Sequence, residues 1–359
     1  ERILEVARKA VLVVTDRGYL RHLKEWRAAV ARKAGRRVEM VEGDVVVPVD
    51  LVSDKRETAA RTIRPKINRR RFDHLELPAE TAVNHPAPGD AAAAFGLPAG
   101  ERLDDVAAFV GGLGTDTSVA PVDGFHGGTE AARERLARFL GRRLPEYGKH
   151  RSDIARRVTS ELSPYLHLGQ ISPVEVVRKL RAAKSGEEED KETFLEEMVV
   201  RRELSINFVE HEPRYDGYDA LPAWARETLA AHAEDERPHL YDAATLEAAE
   251  THDPYWNAAM TEMKKTGYLH NYMRMYWGKQ IIRYMKEPRA AFETTLYLNN
   301  KYFLDGRDAN SFTSVAWVFG VHDRGWPERP VFGKVRPMLP SGLERKFNVD
   351  AYIDYVAAL

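Results

Sequence analysis

Residues 268–285 read YLHNYMRMYWGKQIIRYM. Wound as a helix, the stretch sets Tyr268, Tyr272 and Tyr276 on one side and Met273, Trp277, Ile281 and Tyr284 on another. Such stripes ordinarily form a core, and a core explains them without any ligand. It does not explain Asn271 and Arg274 in the same aromatic surface, because a buried guanidinium needs a carboxylate or an anionic cofactor beside it. Asp305 is the candidate partner. Outward from this helix, the chain from Gly127 on keeps apolar residues at three- and four-residue spacing over 128–140, 151–158, 173–184, 191–210, 221–232, 254–266 and 288–303, with no competing strand pattern. Ser163-Pro164 and Ser172-Pro173 put a capping hydroxyl before a helix-starting proline, and Glu175 completes a capping box with Ser172. Gly186 followed by Glu187, Glu188, Glu189 and Asp190 is expected to be an acidic surface loop.

Towards the N-terminus the pattern changes. Val11-Leu12-Val13-Val14 is a buried-strand run, residues 19–34 form a helix, and Val45-Val46-Val47-Pro48-Val49 is expected to be a second strand, together a βαβ-like unit. Two strands and one helix cannot cover both faces of a parallel sheet, so residues 1–77 are expected either to be the remaining part of a larger α/β domain, the preferred reading, or to lean on the rest of the chain. Pro78, Pro86, Pro88, Gly89, Gly96, Pro98 and Gly100 mark residues 78–126 as a connector. Residues 127–359 then form the helical domain. The six basic side chains within residues 61–71 are expected on a solvated face or loop.

Composition narrows the chemistry. The 359 residues carry 54 Lys plus Arg against 55 Asp plus Glu, a formal charge of -1, so phosphate binding must come from local basic clusters. With no cysteine, thiol nucleophiles, disulfides and cysteine-ligated zinc or iron–sulfur sites are excluded. No metal-ligating pattern is read, and no apolar run is long enough for a membrane span. A cytoplasmic protein is expected.

Three further stretches bear polar chemistry. Thr159-Ser160-Glu161-Leu162-Ser163 stacks hydroxyls against a helix start, where a pyrophosphate would be favoured, although capping alone accounts for Ser163. Glu196 and Glu197 precede Arg201, so one carboxylate could face inward, with a helix salt bridge as the plain alternative. Arg324, Arg329, Lys334 and Arg336 interleave with Trp326 and Phe332 in a proline-stiffened tail, a composition suited to unstacked nucleic acid.

Taken together, these segments resemble the class II cyclobutane pyrimidine dimer photolyases of the photolyase/cryptochrome family over nearly the whole chain. The strings that carry the resemblance include Ala60-Arg61-Thr62-Ile63-Arg64-Pro65-Lys66-Ile67, Leu162-Ser163-Pro164-Tyr165-Leu166-His167, Glu197-Met198-Val199-Val200-Arg201-Arg202-Glu203-Leu204, Met273-Arg274-Met275-Tyr276-Trp277 and Asp305-Gly306-Arg307-Asp308-Ala309-Asn310. Each is weak alone; their shared order is specific. The resemblance implies an α/β, incomplete Rossmann-like antenna domain and an all-α C-terminal domain that binds FAD. The reduced, anionic FAD would donate an electron to a flipped-out pyrimidine dimer in UV-damaged DNA and recover it after the dimer splits. A deazaflavin or folate antenna chromophore is possible. A monomer is implied, associated with the nucleoid if the source is prokaryotic. Relative to the family, the opening part of the antenna domain has no counterpart before Glu1.

Carried over by position, Tyr147, Thr159, Ser160, Leu162, Ser163, Asn271 and Asp308 resemble cofactor contacts, with Arg274 and Asp305 as the ion pair beside the isoalloxazine. Asn299 resembles the amide at flavin N5, with Asn300 and Asn310 as alternatives. Glu197 resembles the carboxyl that meets the dimer's carbonyls as a protonated or proton-sharing acid in a partly dry pocket. Met275 and Trp317 would pack on the lesion, and Arg151 and Arg201 would contact DNA. Arg324, Trp326 and Arg336 would fill the gap left by the flipped bases. Trp277 and Trp256 resemble the electron-transfer pair that reduces the flavin, but Tyr284 stands where a third tryptophan is expected. The alternative is a cryptochrome-like flavin photoreceptor without repair, since a fold alone does not fix function.

Overall fold

The computed structural model describes residues 2–76, 82 and 104–359, which fall into two compact units. One comprises residues 1–43 and 76–121, the other residues 44–75 and 122–359. Most of the proline-rich connector lies outside the described residues.

In the first unit, strands β1 (Leu12–Asp16) and β2 (Arg37–Val41) pair in parallel, with Leu12 opposite Arg37 and Asp16 opposite Val41. Parallel neighbours need a crossover, and helix Arg21–Lys33 supplies it. The second strand is therefore not Val45–Val49, as the apolar run suggested. Those valines are in the second unit, where the backbone N–H groups of Val46 and Val47 donate to the buried Glu203 carboxylate at 2.6 and 3.2 Å instead of to a strand. A short helix, Val49–Val52, follows.

Residues 44–75, which the sequence grouped with the α/β part, pack with the helices. Val46, Val47, Ile63 and Ile67 share a core with Leu136, Phe139, Val176 and Phe194. The basic run is a helix rather than a loop, and only part of it is solvated: in helix Ala60–Asn68 and its continuing turn Arg61, Arg69 and Arg70 are exposed, while Arg64 grips Glu196 at 2.9 and 2.7 Å and Arg71 grips Glu192 at 2.8 and 2.9 Å. Such two-pronged guanidinium–carboxylate bonds fix orientation as well as charge.

The remainder of the second unit is helical, as expected. Pro254–Thr266, Asn271–Tyr284 and Pro288–Tyr302 follow the sequence pattern closely. Residues 151–158 are turns rather than a helix, since Arg157 adopts φ +47 and Glu161 φ +55. The acidic stretch opens helix Glu188–Leu195 instead of forming a loop, because Glu187 and Asp190 make a reciprocal capping box. Glu175 completes no box with Ser172; its carboxylate binds Arg133 at 2.8 Å while Ser172 caps alone. Helices Ala309–Val318, Pro340–Lys346 and Val349–Ala357 add to the unit. Among the described residues no helix is long and apolar enough to cross a membrane.

Candidate active site

A cavity of about 1610 Å³ opens in the second unit, larger than the roughly 300–1000 Å³ of an ordinary small-molecule pocket. Its first wall is Tyr147, Arg151 and the turn Thr159–Ser163. Glu161 holds that turn in its left-handed conformation: its buried carboxylate receives Arg135 at 2.5 Å, Arg143 at 3.2 Å and Arg157 at 3.6 Å. The Thr159 hydroxyl meets the Tyr268 hydroxyl at 3.1 Å, and burial pushes Tyr268 up to about 12. Ser160 and Ser163 have no hydroxyl partner among the described residues. Ser163 is not the cap; Leu162 occupies that position, without a side-chain bond. The helix that follows spans only Ser163–His167, so the turn's hydroxyls and backbone, rather than a helix dipole, make this wall.

Helix Asn271–Tyr284 contributes Asn271, Arg274, Met275 and Trp277 to the cavity. The guanidinium that a core could not explain reaches Asp305 at 3.1 and 3.3 Å and lies 3.8 Å from the Phe303 ring centroid. Asn299 donates its amide nitrogen to Ser311 Oγ and to Asn300 Oδ1 at 3.0 Å, which leaves its Oδ1 with no donor among the described residues. Asn300 does not line the cavity, and its Oδ1 also receives the Arg307 N–H at 3.0 Å. Asn310 lines it, with its amide given to Asp308 at 3.0 Å. Of the three asparagines, Asn299 and Asn310 line the cavity and Asn299 keeps its Oδ1 free of donors among the described residues.

Asp308 is off the cavity wall. It caps helix Ala309–Val318 and faces His167 at 3.3 Å; burial raises its carboxyl, but His167 and Arg202 outweigh burial and hold it below the usual range. One oxygen takes the Asn310 N–H and amide, and the other meets His167.

Glu197 sits in a π-turn, Glu196–Arg201, a wide helical turn of the kind found at functional sites. It faces Arg151 at 3.2 Å, with about a third of its side chain exposed (34%). Arg201 also lines the cavity, but its guanidinium binds Glu196 at 2.9 Å, so the plain helix salt bridge holds for that pair and not for Glu197.

Met275, Trp317 and the loop residues Arg324, Trp326 and Arg336 complete the lining. Arg336 holds Asp323 at 2.7 and 2.8 Å while its guanidinium lies 4.2 Å from the Trp326 centroid. Behind Trp317 is Lys279, which the sequence did not single out. It is fully buried, lies 5.1 Å from the Trp317 centroid, donates to the Val318 carbonyl and is lowered to about 7 by burial. Glu161 and Asp323 were likewise missed; both look like ordinary surface acids until their arginines are placed. Trp256 is off the wall, fully buried and stacked on Trp277 with centroids 6.4 Å apart. Tyr284 follows at 6.1 Å, nearly perpendicular to Trp256, its hydroxyl on Asp253 at 2.9 Å.

The donor set fits FAD. Free hydroxyls at Ser160 and Ser163 suit phosphate and ribityl oxygens, and Arg274 suits an anionic ring. Asn299 Oδ1 can accept an N–H, and the buried Trp277 Nε1, on the cavity wall, has no partner.

No family model matches the chain. It is 43% identical over 370 residues to the deoxyribodipyrimidine photo-lyase of Methanothermobacter thermautotrophicus, covering 99% of this chain and 77% of that protein. The deoxyribodipyrimidine photo-lyase of Arabidopsis thaliana is 39% identical over 357 residues, covering 97% of this chain and 70% of its own. A class III photolyase from Agrobacterium tumefaciens, 19% identical, superposes with a TM-score of 0.67 over 99% of this chain and 71% of its own, which speaks for the fold. Identity of this order along almost the full chain is not confined to one motif or one unit, and so the chain belongs to the deoxyribodipyrimidine photo-lyase family.

Proposed function

We propose that the protein splits cyclobutane pyrimidine dimers in UV-damaged DNA by light-driven electron transfer within this cavity. The observation that carries this is convergence: Glu197, Met275 and Trp317 open onto the same space as the Arg274–Asp305 pair, Asn299 and the unpartnered serines. Reduced FAD, when bound, supplies the electron that light promotes. Ser160 and Ser163 would hold its phosphate and ribityl oxygens, and Arg274, kept paired by Asp305, would favour negative charge on its ring.

Glu197 would leave Arg151 for the dimer's carbonyls, and Arg151 would then be free for the adjacent phosphate. Trp317 offers a flat apolar surface in place of lost stacking, worth about 1–3 kcal/mol per base. Arg324, Trp326 and Arg336 would enter the emptied duplex. Extrusion of the lesion is the step such enzymes need to reach a base inside the helix.

The test is dimer loss from a UV-damaged oligonucleotide with flavin-reduced protein under near-UV or blue light, against a dark control. Light-dependent recovery of intact pyrimidines is expected. No recovery by flavin-loaded protein would refute the repair reading and favour a photoreceptor.

A further inference from the structure

A second cavity, of about 310 Å³, lies beside the loop that closes the first. Arg329, Pro337 and Leu339 line both cavities, so the two share a wall. Arg237, Arg283 and Arg329 all face it.

These arginines differ from most others in the unit. Arg56, Arg64, Arg71, Arg135 and Arg202 are each bound to a carboxylate. Arg283 instead donates to the neutral Gln280 amide at 2.6 Å, and Arg329 has no side-chain partner among the described residues. Arg237 bonds only backbone carbonyls, and its buried Nε has no partner. Burial lowers Arg237, while Asp235, Glu234 and Glu287 act on it in the other direction. Two of those acids are engaged: Asp235 with His232 and the Val331 N–H, Glu234 with Lys286. Glu236 is the one carboxylate on the cavity wall, and it is exposed.

One side of the cavity is flat. His239 and His252 stack with centroids 3.7 Å apart. The Tyr241 hydroxyl accepts the His252 backbone N–H at 2.9 Å and lies 2.9 Å from His252 Nδ1.

We propose that this second cavity binds a backbone phosphate of the damaged DNA, with the stacked histidines against the neighbouring sugar or base. Guanidiniums without carboxylates and a flat ring surface are the chemistry of a nucleotide contact. The assignment of DNA as the source of the phosphate rests on the repair reading above and on the shared wall.

Arg283 tests it, because Arg283 lines only the second cavity and its one side-chain bond is to Gln280. Binding of the flavin-loaded protein to dimer-containing duplex is measured across salt concentrations for the parent, Arg283→Gln and Arg283→Lys. Loss of one phosphate contact lowers the salt slope by about 0.9 and weakens binding roughly five- to tenfold near 0.1 M salt. Arg283→Lys is expected to recover most of that slope. Dimer splitting at saturating DNA is expected to be unchanged in both variants. Equal slopes and affinities for parent and Arg283→Gln would overturn the proposal. So would a loss of inorganic phosphate binding in Arg283→Gln without any change on DNA, which would mark a free-anion site. A parent protein that fails to prefer damaged DNA would instead sink the repair reading itself.

Discussion

Gly333 closes the loop that carries Arg324, Trp326 and Arg336, and Gly333→Ala should unseat it. Its φ is +52, and an added Cβ would lie 2.1 Å from Thr228 Oγ1 and 2.8 Å from His232 Cδ2. Thr228 Oγ1 is the atom that accepts the Lys334 N–H at 3.0 Å, so the methyl group must displace the loop's own anchor. A left-handed alanine costs about 1–2 kcal/mol, and the lost neutral hydrogen bond about 1 kcal/mol. Together these make roughly 2–3 kcal/mol, an opening equilibrium raised about 30- to 150-fold. Hydrogen exchange reads this directly: protection of the Lys334 and Gly333 amides should fall by that factor, while amides in helix Asn271–Tyr284 keep theirs. Affinity for damaged duplex should fall with the seated fraction. Unchanged protection at Lys334 would refute both the proposed seat and the clash.

Asp305→Asn removes the charge facing Arg274 in a pair with side chains only 16% and 11% exposed; urea denaturation should show a loss of about 1.5–3 kcal/mol, together with weaker flavin retention. Glu197→Ala should lower dimer splitting per absorbed photon with flavin content unchanged, and an unaltered quantum yield would remove Glu197 from the lesion contact. Arg336→Ala should weaken binding to damaged duplex more than to damaged single strand; equal losses would count against its place in the emptied helix. Lys279 carries a pH signature. Folded, burial lowers it to about 7 from an ordinary 10.5, so between those values the unfolded chain holds a proton that the folded chain has released. Stability from this group therefore rises with pH across that window and is lost as pH falls towards 7. Lys279→Met should flatten the slope of stability between pH 7 and 10.5, and a parallel slope in the variant would show that another group sets it.

Much of the helical unit was legible because its signals are local. Periodicity marked Pro254–Thr266 and Pro288–Tyr302, and one arginine in an aromatic helix demanded the partner it has in Asp305. The misread segments are those whose partners lie far along the chain. Val45–Val49 has the composition of a strand, yet the acceptor for its N–H groups is a side chain 157 residues away from Val46. The basic run looked wholly solvated for the same reason: Glu192 and Glu196 lie more than a hundred positions on. Arg37–Val41, by contrast, has the two-residue alternation of a strand, with Val38 and Met40 alternating with Arg37 and Glu39, although it is less apolar than the valine run.

The same distinction locates the site. Sequence shows which side chains carry hydrogen-bonding groups but not which of those groups are already used. In this unit, several buried acids are matched internally: Glu161 by three arginines, Glu203 by two backbone N–H groups, Asp253 by the hydroxyls of Tyr276 and Tyr284. Buried polar groups are otherwise satisfied in folded proteins, so those left over call for a ligand. On the cavity wall the remainder among the described residues is Asn299 Oδ1, His322 Nε2, the indole N–H groups of Trp277 and Trp326, and the hydroxyls of Ser160 and Ser163. Four of these six residues stand where the resemblance put a cofactor contact or an electron donor, Trp326 stands where it put the DNA wedge, and His322 was assigned no role. Satisfying Asp305, Glu161 and Asp323 internally is what leaves the wall rigid and its unpaired groups aimed inward. Removing any of these internal partners should therefore disturb ligand binding before it disturbs the fold.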